Sequence, residues 1–283
     1  VSRKSTICGN RLLVLLLMTS IISLWHQRAF PAHVEEGRRI VVLTFDDAVK
    51  SHRTFVAPYL KQLGFGATFF VTHCWMNDSE HFMTWKEIAE IHQMGFEIGN
   101  HSWTHADFSR PENAARLADE LTRVETELKR VGVPRPISFA YSGNGFGPEA
   151  VAELSKLGYR LGRRGMQPEV PYGQMKIGPS FDPHRHHPLL IPTTGDAYPG
   201  WTLEHFRKVV ESPRLNQIVV LQFHGVPDVQ HPWVNTSPDL FRRCMVYLSE
   251  HKFRVLAMRD LDNLLPKKPP ADPLLETRYS PSK

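Results

Sequence analysis

Two adjacent carboxylates, Asp46 and Asp47, stand where the apolar run Ile40-Val41-Val42-Leu43-Thr44-Phe45 stops. Such a run reads as a buried strand, whose interior does not tolerate paired carboxylates. The chain must turn out of the core at Asp46, leaving both carboxylates at the strand's C-terminal tip. Like charges that close share a proton or a metal ion. His101 and His105 follow a second short apolar segment, Phe96 to Gly99. One aspartate and two histidines at i and i+4 make a three-ligand site with open positions, the pattern of a catalytic rather than a structural zinc. That pattern belongs to metal-assisted hydrolysis.

The elements that must position these residues alternate along the chain. Strands are expected at Ile40–Phe45, Ala67–Thr72, Glu97–Gly99, Ile137–Tyr141, Tyr159–Gly162, Ile218–Phe223 and Arg254–Ala257. Amphipathic helices are expected between them at Ser51–Leu63, Trp85–Met94, Pro111–Val131, Pro148–Leu157, Thr202–Glu211 and Pro238–His251. In the third, Ser109 can cap, and Leu117, Leu121, Val124 and Leu128 keep a 3–4 spacing. Gly64, Gly95, Gly132 and Gly158 follow helices, where a left-handed cap suits glycine. Strand–helix alternation of this kind argues for a mainly parallel sheet or barrel. Asp46 and Asp47 end the first strand, His101 and His105 follow the third, and His224 follows Ile218–Phe223. In a parallel barrel those strand ends share one face, where active sites are built.

Arg163 to Pro199 breaks the rhythm with many Pro and Gly, and reads as a long functional loop over one end of the barrel. It carries His184, His186 and His187, but no strand presents them, so they read as a solvated loop or part of a binding groove. Residues 266–283 are Pro- and Lys-rich and read as a flexible tail.

Residues 1–30 read as a signal peptide or membrane anchor, with Arg3, Lys4 and Arg11 before an apolar run too short for a comfortable span. The expected location is exported: periplasmic, extracellular or membrane-anchored, with membrane contact only if the leader is uncleaved. The net charge is +5, and removing the leader's Arg3, Lys4, Arg11 and Arg28 leaves +1. So balanced a core argues against a nucleic-acid partner. Of Cys8, Cys74 and Cys244, the last two remain in a mature chain and are expected as buried free thiols or a pair.

Over Arg38 to Leu265 the chain resembles a divergent branch of the polysaccharide deacetylases, carbohydrate esterase family 4. Thr44-Phe45-Asp46-Asp47-Ala48 is similar to that family's Thr-Phe-Asp-Asp-Gly motif, with Ala in the last place. His101-Ser102-Trp103-Thr104-His105 matches its His-(Ser/Thr)-x-x-His motif, and Val220 to Gly225 resembles its Leu-x-His motif around His224. The resemblance implies a single-domain α/β fold, a distorted (β/α) barrel of about seven parallel strands spanning residues 38–265. It implies Asp46 as general base, Asp47, His101 and His105 as ligands of Zn2+ or another divalent ion such as Co2+, and His224 as general acid. The implied reaction removes acetyl groups from an N-acetylated polysaccharide or oligosaccharide.

The family's Arg-x-Pro-Tyr-Gly motif should fall near Phe139 to Gly145, where no arginine stands. Arg163 or Arg164, ending the next strand, could reach over to orient the base. Both, with Tyr141 and Trp103, are the expected substrate contacts. An aspartate buttressing His224 is not recognisable; Asp182 and Asp228 are candidates. Two alternatives stand beside the deacetylase: a non-catalytic glycan-binding protein of the same fold, and a deacylase of O-acetyl esters or small amides.

Overall fold

The computed structural model describes residues 39–213 and 217–280. The leader and Cys8 lie outside them. No helix among the described residues is long and apolar enough to cross a membrane.

Among the described residues, eight strands form one sheet: β1 (Ile40–Phe45), β2 (Thr68–Val71), β3 (Glu97–Asn100), β4 (Ser138–Ala140), β5 (Leu161–Arg163), β6 (Gly195–Asp196), β7 (Val219–Phe223) and β8 (Arg254–Leu256). Their order is β5-β4-β3-β2-β1-β7-β6, with β8 also on β1, and every pair is parallel. One edge of β1 pairs along Val41–Phe45 with β7. Its other edge is shared, Ile40–Val42 pairing with β8 and Thr44–Phe45 with β2. That split distorts the barrel.

Helices α1 (Ala57–Leu63), α2 (Trp85–Gln93), α3 (Pro111–Ala114), α4 (Leu117–Arg130), α5 (Pro148–Lys156), α6 (Leu203–Glu211) and α7 (Pro238–Glu250) connect the strands. Local chemistry marks their starts: Thr84 and Glu87 form a reciprocal capping box on α2, and Ser237 caps α7 just before Pro238. The helix expected over Pro111–Val131 is two pieces, broken at Ala115 and Arg116. Ser109 does not cap it; its hydroxyl donates to Asp107 Oδ1 at 2.6 Å.

Because side chains alternate across a strand, β1 serves two cores. Val41, Leu43 and Phe45 pack outward under the helices, while Val42 packs inside the barrel with Phe70, Ala140, Leu161 and Val220. Each such side chain, fully buried, stabilises the fold by about 1.5–3 kcal/mol. The same alternation carries Asp46, His101, Arg163, Gln222 and His224 to the interior side, above that apolar layer.

Two expectations are corrected here. The stretch Arg163–Pro199 is not all loop. Ile191 N–H donates to Gly162 O (2.8 Å) and Arg164 N–H to Ile191 O (2.9 Å), while Thr194 N–H donates to Val220 O (2.7 Å). Residues 191–196 thus run between β5 and β7 and close the barrel, and β6 makes the strand count eight. The expected flexible tail is also docked, over residues 272–279. Leu274 and Leu275 rest on the Phe139–Leu154 core, Tyr279 exchanges backbone hydrogen bonds with Phe146, and Arg278 pairs with Glu149 at 2.5 Å. Two leucines and an aromatic among the prolines give the segment enough apolar area to dock.

Candidate active site

Asp46 and Asp47 leave β1 at the top of the barrel. Asp47 and Ala48 sit at φ 74° and 55°, which turns their side chains apart. Asp46 is buried, and its Oδ2 accepts from Arg163 Nη2 at 2.5 Å. Its Oδ1 is buried with no hydrogen-bond partner. Arg163 also donates to Gln222 Oε1 and lies 5.5 Å from the Phe70 ring centre. The guanidinium is therefore fixed behind Asp46 by groups from three strands.

Asp47 faces four imidazoles. Oδ1 lies 3.5 Å from Nε2 of both His101 and His105, and Oδ2 lies 3.8 Å from His224 Nε2 and 3.9 Å from His231 Nδ1. Burial alone would raise the Asp47 carboxyl, but the neighbouring imidazoles of His101, His105 and His224 hold it far below the usual carboxylate range. Burial pushes His105 down to about 4, so it is neutral at physiological pH. Burial also opposes the charged form of His101, yet the charges of Asp46 and Asp47 raise it. His101 Nδ1 must carry the proton, because it donates to Ala140 O at 2.8 Å. Its Nε2 is the ring nitrogen that faces Asp47 Oδ1, and it is the one free to ligate an ion.

The turn between the two histidines is held from α4. Buried Glu120 accepts through Oε2 from the N–H groups of Trp103 (2.9 Å) and Thr104 (2.7 Å), and through Oε1 from Thr104 Oγ1 (2.9 Å). Ser142 Oγ donates to His101 O at 3.0 Å. Ser102 and His105 take φ 66° and 56° in this turn. Asp47, Ala48, Ser102, His105 and the cavity residue Asn144 are five of the six non-glycine residues with positive φ among the described residues. The backbone strain of the molecule is gathered at this site.

The donors fit a divalent cation. Asp47, His101 and His105 place their ligating atoms within 4.8 Å of one another, the one such cluster among the described residues. Asp47 Oδ1 is buried without a hydrogen-bond partner, and one ionised carboxylate with two imidazoles is a three-ligand donor set.

Asp47, His101, His105, Asp46 and His224 all line one cavity of about 150 Å³. The four expected substrate contacts do not line it. Tyr141 is buried and donates its hydroxyl to Leu189 O at 3.0 Å. Trp103 stacks on His73 at 3.9 Å with Arg123 over its other side at 4.4 Å. Arg163 stands behind Asp46, and Arg164 turns away to pair with both oxygens of Glu169 at 2.7 Å. Instead Trp75, Tyr172, His231 and Trp233 reach the cavity.

Neither proposed buttress meets His224. Asp182 organises its own loop by accepting from His184 N–H at 2.9 Å, and Asp228 accepts from His231 Nδ1 at 3.2 Å. Like Asp228, the buried acid Asp196 at the end of β6 feels the charge of His224. Burial pushes its carboxyl up, and the charge of His224, the Tyr198 hydroxyl and Arg163 offset this only partly. Both Asp196 oxygens and His224 Nδ1 are buried without a hydrogen bond of ordinary geometry. The sequence hid Asp196 in a Pro- and Gly-rich stretch; Thr193-Thr194 just before it is the β-favouring signal that could have found it. His184, His186 and His187 stay in their loop, where His186 Nδ1 accepts from Asp182 N–H at 3.0 Å. Cys74 is exposed rather than buried, and neither it nor buried Cys244 forms a disulfide.

Comparison with known proteins agrees with this geometry. Residues 33–162 match the polysaccharide deacetylase family profile. Over 124 residues the chain is 31% identical to a chitin deacetylase of Pestalotiopsis sp., covering 42% of this chain and 39% of that protein. The match thus spans about two fifths of that relative's length. Among solved structures, the chitin deacetylase of Colletotrichum lindemuthianum superposes with a TM-score of 0.56 at 18% identity, covering 80% of this chain and 88% of that one. A family 4 acetyl xylan esterase from Clostridium thermocellum, in complex with cobalt, gives 0.53 at 20% identity, covering 81% and 93%. A family 4 pseudoenzyme from Bacillus anthracis gives 0.56 at 16% identity, covering 80% and 66%. At those identities the structures establish the shared distorted barrel, while the profile match reaches the sequence itself over residues 33–162.

Proposed function

We propose that this domain is a divalent-metal-dependent hydrolase, zinc being the resident ion, that removes acetyl groups from an N-acetylated glycan. One observation carries the reading: Asp47 lies 3.5 Å from both His101 and His105, with Asp46 beside it and paired to a buried arginine. Asp47, His101 and His105 would hold the ion, which when bound polarises a carbonyl and lowers the pKa of water. Asp46 acts as general base through Oδ1, since Oδ2 is occupied by Arg163. Arg163 stabilises the ionised carboxylate and fixes its angle, replacing from β5 the arginine missing after β4. His224 supplies a proton to the departing amine, too poor a leaving group to go as an anion.

The test is acetate release from N-acetylated and O-acetylated glycans by the zinc- or cobalt-loaded protein. Wild type is expected to release acetate from an N-acetylated glycan. Asp46→Asn is expected to lose at least about 100-fold in kcat while binding the same amount of metal. Equal turnover in both proteins would remove Asp46 from the chemistry. Release from O-acetyl esters alone would move the substrate class, and metal binding without turnover on any glycan would favour the binding-protein alternative.

A further inference from the structure

The loop that follows β7 is built around groups the hydrolysis does not use. Asp228 is buried and gathers three donors: Oδ1 accepts from the N–H of Gln230 (3.2 Å) and His231 (2.8 Å), and Oδ2 accepts from His231 Nδ1 (3.2 Å). The loop is pinned at both ends. Asp228 N–H donates to Asn235 Oδ1 (2.8 Å), Thr236 N–H to Gly225 O (3.2 Å) and Val226 N–H to Ser51 Oγ (2.8 Å). The His231 ring is boxed by Trp75 at 4.8 Å and Trp233 at 5.4 Å, centre to centre. Its Nε2 has no hydrogen-bond partner among the described residues, although the residue lines the cavity. Trp233 lines it too, yet is 59% exposed. Among the described residues, no lysine or arginine lines this cavity.

We infer that Asp228, His231, Trp75 and Trp233 form a subsite for a second, uncharged sugar ring beside the acetylated unit, a conclusion that rests on the deacetylase reading of the site. The indole faces match the C–H faces of a pyranose, and His231 Nε2 hydrogen-bonds a ring hydroxyl. Asp228 fixes the imidazole beforehand, so little rotamer freedom is lost on binding. The lining selects a neutral ring: a uronate carboxylate would find no lysine or arginine on the cavity wall among the described residues to pair it. His231 is thus a specificity residue that contacts the neighbouring sugar, distinct from His224.

The test compares neutral N-acetylated chitotriose with 4-nitrophenyl acetate on the zinc-loaded full chain. Trp233→Ala, at an exposed position, and His231→Gln are each expected to lower the ratio of kcat/KM, trisaccharide over ester, about ten-fold. An unchanged ratio overturns the subsite. If wild type turns over neither compound, the deacetylase reading fails separately, and calorimetry then decides the subsite. Trisaccharide binding to wild type that weakens about ten-fold in both variants supports it; equal binding, or none to wild type, overturns it. A uronate-containing trisaccharide bound as tightly as the neutral one overturns the choice of an uncharged ring.

Discussion

Glu120 touches neither Asp47 nor either imidazole, yet the turn that carries both histidines hangs on its carboxylate. Three donors converge on it. An amide in its place offers one oxygen where two are used, and presents N–H groups to donors. Glu120→Gln is therefore expected to weaken cobalt binding by about 10–100-fold, read by titration of the visible absorption band. Unchanged affinity would mean that the turn holds itself. Glu120 was invisible in the sequence because it sits among ordinary charged residues of an amphipathic helix. Asp46, Asp47, His101, His105 and His224 were legible for the opposite reason: each follows an apolar run whose end announces a strand tip. Arg163 was legible as a site residue but assigned to two tasks, and its place behind Asp46 leaves only the pairing with the base. Asp228 was read as a partner for His224; its partner is His231, three residues on in the same loop.

At the scale of elements, period and punctuation exposed seven strands within a residue or two and six helical stretches, of which Pro111–Val131 is broken in two. Glycines at Gly64, Gly95, Gly132 and Gly158 all adopt the expected positive φ. What stayed hidden was the piece that closes the barrel, because Pro192 and Gly195 interrupt its β-favouring residues. Gly162 shows how tight that closure is. A Cβ there would lie 2.5 Å from Leu189 O and 3.0 Å from Leu189 C and Cα, all backbone atoms with nowhere to retreat. Gly162→Ala is expected to destabilise the fold by about 1–3 kcal/mol, measured as a lower urea midpoint at unchanged m-value. A midpoint equal to wild type would show that the 189–191 crossing can shift at no cost.

Across the molecule, charge is nearly balanced outside the leader, so acid sensitivity must come from particular buried groups. His52 is one. Nε2 donates to His224 O at 3.0 Å, while Nδ1 is buried without a partner. Burial pushes it from 6.5 down to about 4. A histidine held neutral in the folded state takes up its proton later than in the unfolded chain. Its neutral burial therefore costs nothing above pH 6.5, and stability falls as pH drops from 6.5 to about 4, by roughly 1.4 kcal/mol per unit. Denaturant melts of ion-free protein across that window are expected to show a shallower slope for His52→Gln than for wild type. Parallel slopes would assign the acid sensitivity elsewhere.

The exposure of Cys74 has a practical meaning. It stands next to Trp75, at the edge of the cavity, while Cys244 is buried with its thiol pushed up to about 12. Burial and the charges of Asp47 and Glu120 raise Cys74 as well, so its labelling rests on exposure and is favoured by raising the pH. Under those conditions a maleimide dye distinguishes the two thiols without any substitution. The domain then carries its own attachment point for an optical reporter, one residue from the wall that a glycan would meet.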